Sequence, residues 1–242
     1  MLNNGADFVK NKTRTITSII LKLLIFISTT AGLIGCIVGV DGFMGGSTLI
    51  LYFTNQSNIW IALTALILAI IQIVNLKKGI YGFSKKVYLI QQVFTVSISL
   101  TCIVYCFVLV PSFLAVASDL FNPFSLTQML LHVVTPVLAI VDFLFSTREV
   151  TFKGKDCLWS AIPPLYYLGF SAVGYVLNWN FGMGNNFPYF FLNYDSPAGI
   201  FGFSNVMPYF MGSFYWIILL VFLVLGMSLA YLKIVNKLNK NK

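Results

Sequence analysis

Apolar residues in this chain come in long blocks rather than alternating with polar ones, and six blocks are long enough to cross a bilayer. They cover about 17–40, 49–76, 87–110, 126–145, 158–177 and 209–235. A helix needs roughly 20 apolar residues to traverse a hydrocarbon core of about 30 Å. The longest connection between blocks is about 178–208, so no separate soluble domain is left over. The pattern predicts an all-α fold: a single integral membrane domain over 1–242, built as a polytopic bundle of six transmembrane helices. The first block is too long for a cleaved leader, and Gly39, Val40 and Asp41 lack a small-x-small cleavage pattern, so a retained helix is expected.

Composition strengthens this reading, with 58% hydrophobic residues against 9% charged. The net charge of +8 points to nucleic acid only until its placement is considered. The 15 basic residues lie before and within the start of the first block, in the second and fourth connections, and at the end of the last block. The other three connections carry only Asp41, Asp119 and Asp195. Lys and Arg mark the cytoplasmic side of membrane helices. Both termini are therefore expected in the cytoplasm, in a multi-pass protein of the cell membrane. The bilayer, with its anionic headgroups, is the expected partner rather than nucleic acid; nothing in the sequence specifies an oligomeric state. Lys22 stands close enough to the end of its block to snorkel to the headgroups.

One block is interrupted. Within LYFTNQSNIW, residues 51–60, five polar residues follow one another: Thr54, Asn55, Gln56, Ser57 and Asn58. Unsatisfied polar groups in lipid cost several kcal/mol each, so most of this turn must face the bundle interior. Thr54, Ser57 and Asn58 share a helix face by i+3 and i+4 spacing, and Asn55 and Gln56 point to its sides. The only histidine, His132, lies in another block, LTQMLLHVVTPVLAIVDFLF. At 1.5 Å per residue both Thr54 and His132 fall roughly 8–9 Å below the outer edge. Pro136, four residues after His132, cannot donate to the His132 carbonyl, and a kink is expected there.

An imidazole can accept the proton of a hydroxyl and turn it into a nucleophile. Thr54 and His132 are accordingly the candidate catalytic pair. Asn55 and Asn58 are candidate oxyanion donors, and Asn55, Ser57 and Asn58 the candidate substrate-binding residues. The competing reading is that these groups only tie helices together by hydrogen bonds, as polar side chains in membranes often do. Asp142 is ten residues, roughly 15 Å, beyond His132. That is too far for a triad, and an ion pair with Arg148 or a lysine is expected instead. Cys102 and Cys106 share a face, which suits burial as small apolar side chains better than a metal pair. No metal or organic cofactor is implied. The aromatic, Gly- and Pro-rich connection 178–208 reads either as an interfacial cap or as a lid over a site.

Three patches, YFTNQSNIW, LLHVVTPVLAIVDFLF and FPYFFLNYD, resemble the prokaryotic six-helix membrane relatives of the androgen-induced-protein family. Eukaryotic members are intramembrane threonine hydrolases acting on fatty acid esters of hydroxy fatty acids. The resemblance implies Thr54 at the nucleophile position and His132 at the base position, with a lipid ester as substrate. The expectation is an intramembrane threonine-type hydrolase of acyl-chain esters. The alternative is a non-catalytic membrane protein that binds or transports a small ligand in a polar pocket near the outer leaflet.

Overall fold

The structure, a computed structural model, describes residues 3–39, 47–115, 122–182 and 184–240. The expected outer-loop residues Asp41 and Asp119, with most of the first connection and part of the third, lie outside the described residues, as does Lys242. Each apolar block yields a helix: α1 is Asn3–Val38, α2 Phe53–Lys77, α3 Lys85–Leu114, α4 Leu126–Ser146, α5 Ile162–Val176 and α6 Ser213–Lys240. Among the described residues there is no strand, only two isolated bridges. Five of the helices, all but α5, are long and apolar enough to cross a membrane.

The fifth block departs from a simple helix. Its first part, Gly154–Ala161, is a 3₁₀ helix, and α5 itself has 15 residues. Pro163 and Pro164 explain the change of pitch, because neither can donate the backbone N–H that a continuous α-helix needs there. In α2, the block's first residues form a separate 3₁₀ turn, Ser47–Leu51, before the helix begins at Phe53.

α3 is central, touching α2, α4, α5 and α6, while α1 packs on α2 and α4. The α1–α4 crossing is close: a Cβ on Gly35 would stand 2.5 Å from Thr127 Oγ1. Small residues let helices approach in this way, and in lipid close packing takes the place of the hydrophobic drive. Isoleucines 67, 70 and 71 on α2 stay largely uncovered, a belt suited to lipid.

Two wide turns shape the interior. In α4, Leu130–Val134 is a π turn in which the Thr135 N–H reaches the Leu130 carbonyl, five residues back. In α3, Tyr105–Leu109 is another, with the Val110 N–H on the Tyr105 carbonyl. A proline stands two residues after each, Pro136 and Pro111. Each proline removes one i→i−4 donor, and the ladder before it shifts by one residue instead of breaking. That is how α3 continues past Val110, where the apolar pattern alone predicts its end.

At the basic end, Lys22 does not snorkel. It is 1% exposed and bonds Asp142 Oδ2 at 2.7 Å. Asp142 also accepts from Ser18 at 2.6 Å and from Gln91 Nε2 at 2.8 Å, while Lys22 donates to Ser18 at 2.7 Å. A counter-charge with this many hydrogen bonds compensates the loss of water, which the headgroup position would otherwise supply. Asp142 thus has its lysine partner, and Arg148 bonds the carbonyls of Leu144 and Thr147 instead.

Candidate functional site

At the opposite end of the bundle a cavity of about 220 Å³ opens between the helices and the connection after α5. The start of α2 supplies Thr54 and Asn55 to its wall, α3 supplies Tyr105, α4 supplies Gln128 and His132, and the connection supplies Tyr189. The connection is folded onto the bundle as a cap. Tyr52 donates to the Phe181 carbonyl, and the side chains of Phe181, Phe191 and Leu192 are buried. Gly174 permits this closeness, since a Cβ there would meet the Phe181 ring at 2.5 Å.

His132 is 6% exposed. Its Nδ1 lies 3.0 Å from the Gln128 carbonyl. A carbonyl only accepts, so Nδ1 carries the proton and Nε2 presents a lone pair. The ring stacks on Tyr105 at a centroid distance of 3.7 Å and 16° between planes. Both stacked residues stand on the π turns, so the two prolines indirectly set where the imidazole sits. Thr54 is the second residue of α2, where the backbone N–H has no partner within its own helix. That N–H donates to the Tyr189 hydroxyl at 3.3 Å, and Thr54 Oγ1 is 3.4 Å from the same hydroxyl.

A smaller cavity, about 90 Å³, adjoins the first and is walled by Leu100, Val104, Leu168, Leu220 and Val224 among other apolar side chains. Thr54, Leu109 and Tyr189 line both. Thr54 and Tyr189 therefore stand where the cavity that holds the imidazole meets a still more apolar one.

The structure brings Thr54, Asn55 and His132 onto one cavity and leaves Ser57 and Asn58 off its wall. Ser57 Oγ donates to one of two neighbours, the Thr54 carbonyl at 3.0 Å or Thr101 Oγ1 at 2.8 Å. Asn58 Nδ2 donates to the carbonyls of Thr54 and, across to α4, Leu131. Asn55 and Gln56 donate to the carbonyls of Leu49 and Ile50 in the preceding 3₁₀ turn. The expected oxyanion role of Asn58 thus has no free N–H to rest on, and Asn55 has one of its two engaged. What these amides leave buried and unpartnered are acceptors: Asn55 Oδ1, Gln56 Oε1 and Asn58 Oδ1. Among the described residues the Thr54 hydroxyl has Tyr189, not His132, as its hydrogen-bond partner. No group of three or more His, Cys, Asp or Glu side chains able to hold a metal occurs among them either.

Tyr189 is the site residue that sequence reasoning does not single out. Its only signal is its place within FPYFFLNYD, and the chain has 12 tyrosines. Comparison with protein-family models, with curated proteins and with solved structures finds no match. Fold and apolar helices define the class: an all-helical chain with five helices long and apolar enough to cross a membrane.

Proposed function

We propose that the protein is an intramembrane threonine-type hydrolase of acyl-chain esters, with Thr54 as nucleophile and His132 as base. The observation that carries this reading is the position of Thr54 at the junction of two cavities, with the Nε2-basic imidazole lining the larger one. An ester bound across the junction would lay its acyl chain among Leu100, Val104 and Leu220. Thr54 Oγ1 attacks the carbonyl carbon, and its proton passes to His132 Nε2 directly or through one water. The carbonyl oxygen becomes an oxyanion to which the Tyr189 hydroxyl donates. Collapse expels the alcohol, which takes the proton from His132. Water then hydrolyses the acyl-threonine ester by the same route. The resemblance to the androgen-induced-protein family supports the same two residues.

The proposal includes the topology: six spans, both termini in the cytoplasm, in the cell membrane. Eight 3₁₀ residues at about 2.0 Å and 15 α residues at about 1.5 Å give the fifth element a length of about 38 Å. That exceeds the roughly 30 Å of a hydrocarbon core. A second reading, a pocket that binds a small ligand without chemistry, is favoured by the Thr54 hydroxyl having Tyr189 as its partner.

The two separate by labelling. The full chain in detergent is treated with a fluorescent fluorophosphonate, comparing wild type with Thr54→Ala and His132→Ala. Labelling lost in both variants, with helicity and elution unchanged, supports the hydrolase. Folded wild type without labelling, or a labelled Thr54→Ala chain, overturns it in favour of ligand binding.

A further inference from the structure

A polar cavity, about 170 Å³, lies at the basic end of the bundle, remote from Thr54. One water needs only about 10–15 Å³ by this measure, so there is room for a polyatomic ligand. α1 supplies Arg14, Thr15 and Ser18 to the lining, and the end of α4 and the residues after it supply Ser146, Arg148 and Glu149. Its other polar groups are Asn11, Gln72 and the hydroxyls of Tyr81 and Tyr88.

The charges in this cavity are not balanced. Among the described residues neither guanidinium pairs with a carboxylate, since the two ion pairs are Lys22–Asp142 and Lys85–Asp156. Arg14 makes no hydrogen bond there, although its Nε is buried. One face rests 6.0 Å from the centroid of Phe145, which occupies no N–H. Ser146 is 6% exposed, and its Oγ also has no partner. Burial and then the neighbouring Arg14 push Arg148 down from its ordinary range, as expected when two guanidinium groups share a small space. Glu149 is the one acidic group on the lining, and its side chain is exposed.

Two guanidinium groups without a carboxylate partner, of which Arg148 has only Nη1 engaged by the Leu144 and Thr147 carbonyls, make beside an unpartnered hydroxyl a site whose missing component is an anion. We infer that this cavity binds a phosphate monoester, held by Arg14 and Arg148 with Ser146 donating a third hydrogen bond. Guanidinium forks match phosphate oxygens in pairs, and a doubly charged group answers two cations where a carboxylate answers one. The same chemistry is offered by a soluble phosphate ester and by a phosphatidic acid headgroup. The inference does not depend on the reading of Thr54.

The test uses the full chain in two arms. In detergent, its unfolding midpoint is followed against inorganic phosphate, with sodium chloride at matched ionic strength as control. In nanodiscs, retained lipid is counted by native mass spectrometry with phosphatidic acid or phosphatidylcholine. Arg14→Gln is the main variant, because among the described residues no side-chain hydrogen bond depends on Arg14. Ser146→Ala is the second, for the case in which the first does not fold. Binding is expected in one arm, weakened roughly tenfold or more by Arg14→Gln and less by Ser146→Ala. Response to phosphate assigns a soluble ligand, and selective retention of phosphatidic acid assigns a headgroup site. Absence of binding in both arms, or binding that neither variant weakens, overturns the inference.

Discussion

Replacing Asp142 by Asn should be among the most damaging single changes in the chain. Asp142 is 1% exposed and accepts hydrogen bonds from Lys22, Ser18 and Gln91, at 2.7, 2.6 and 2.8 Å. The substitution keeps the volume, loses the negative charge and strands the Lys22 ammonium, itself 1% exposed. Breaking a buried pair by removing one partner costs about 3–5 kcal/mol, mostly from the uncompensated charge that remains. Lys22→Met should cost a similar amount by stranding the carboxylate. Lys22→Met with Asp142→Asn removes both charges and leaves the new amide N–H as the main orphan, a loss of about 1–3 kcal/mol. The double variant should therefore be more stable than either single one, with a coupling at or above the ~3 kcal/mol upper end found for residues in contact. The assay is denaturant unfolding of all four chains in one detergent, followed by helicity. If Asp142→Asn lies within about 1 kcal/mol of wild type, or the two single losses simply add in the double variant, the pair is not the compensated unit described above.

Tyr189→Phe deletes the hydroxyl that faces Thr54 and should lower ester hydrolysis by roughly 10²–10³-fold, the usual effect of losing one oxyanion donor; an unchanged rate would remove Tyr189 from the mechanism. Gly35→Ala places a methyl 2.5 Å from Thr127 Oγ1 and should cost about 1–3 kcal/mol by overpacking the α1–α4 crossing, read from the same unfolding curves; Thr127→Ala in that background should restore most of it. At Asp156, burial alone would raise the carboxyl, but the Lys85 ammonium at 2.8 Å and the Lys153 N–H at 2.7 Å outweigh it and hold the group below its ordinary value. A depressed folded value means the stabilisation is full above the unfolded value of about 3.9 and is lost as pH falls through the folded one. The drop in unfolding midpoint between pH 6 and pH 3 should accordingly be smaller in Asp156→Asn than in wild type.

Much of the fold is legible in the sequence because lipid imposes a length on apolar runs, and all six blocks contain a helix, although α1 begins at Asn3, well before the expected start near 17, and the fifth block opens as a 3₁₀ segment. The blocks do not announce their pitch. Pro111, Pro136, Pro163 and Pro164 are visible as residues. Whether a proline kinks a helix, widens a turn or starts a 3₁₀ segment depends on what packs beside it. Depth brought Thr54 and His132 to one cavity, since helical rise is nearly constant. Partner choice was less accessible. Nothing local marks the Leu49 and Ile50 carbonyls as the acceptors that occupy Asn55 and Gln56. Tyr189 reaches Thr54 across 135 positions of chain, a contact that only the folded connection creates.

The Lys22–Asp142 pair also orders the biogenesis of the bundle. Its two members are 120 residues apart, so at about 5–20 residues per second the lysine is made roughly 6–24 s before its counter-charge. During that interval burial of Lys22 has nothing to compensate it, and the reach of its side chain to the headgroups is the lower-energy alternative. The position read from the sequence is then a waiting state of α1, and the buried position its final one. A chain truncated after Val134 should keep Lys22 open to a water-soluble amine reagent, quantified at that residue by mass spectrometry, where the full chain protects it. α1 is made well before α4, yet it is α4 that locks it in place.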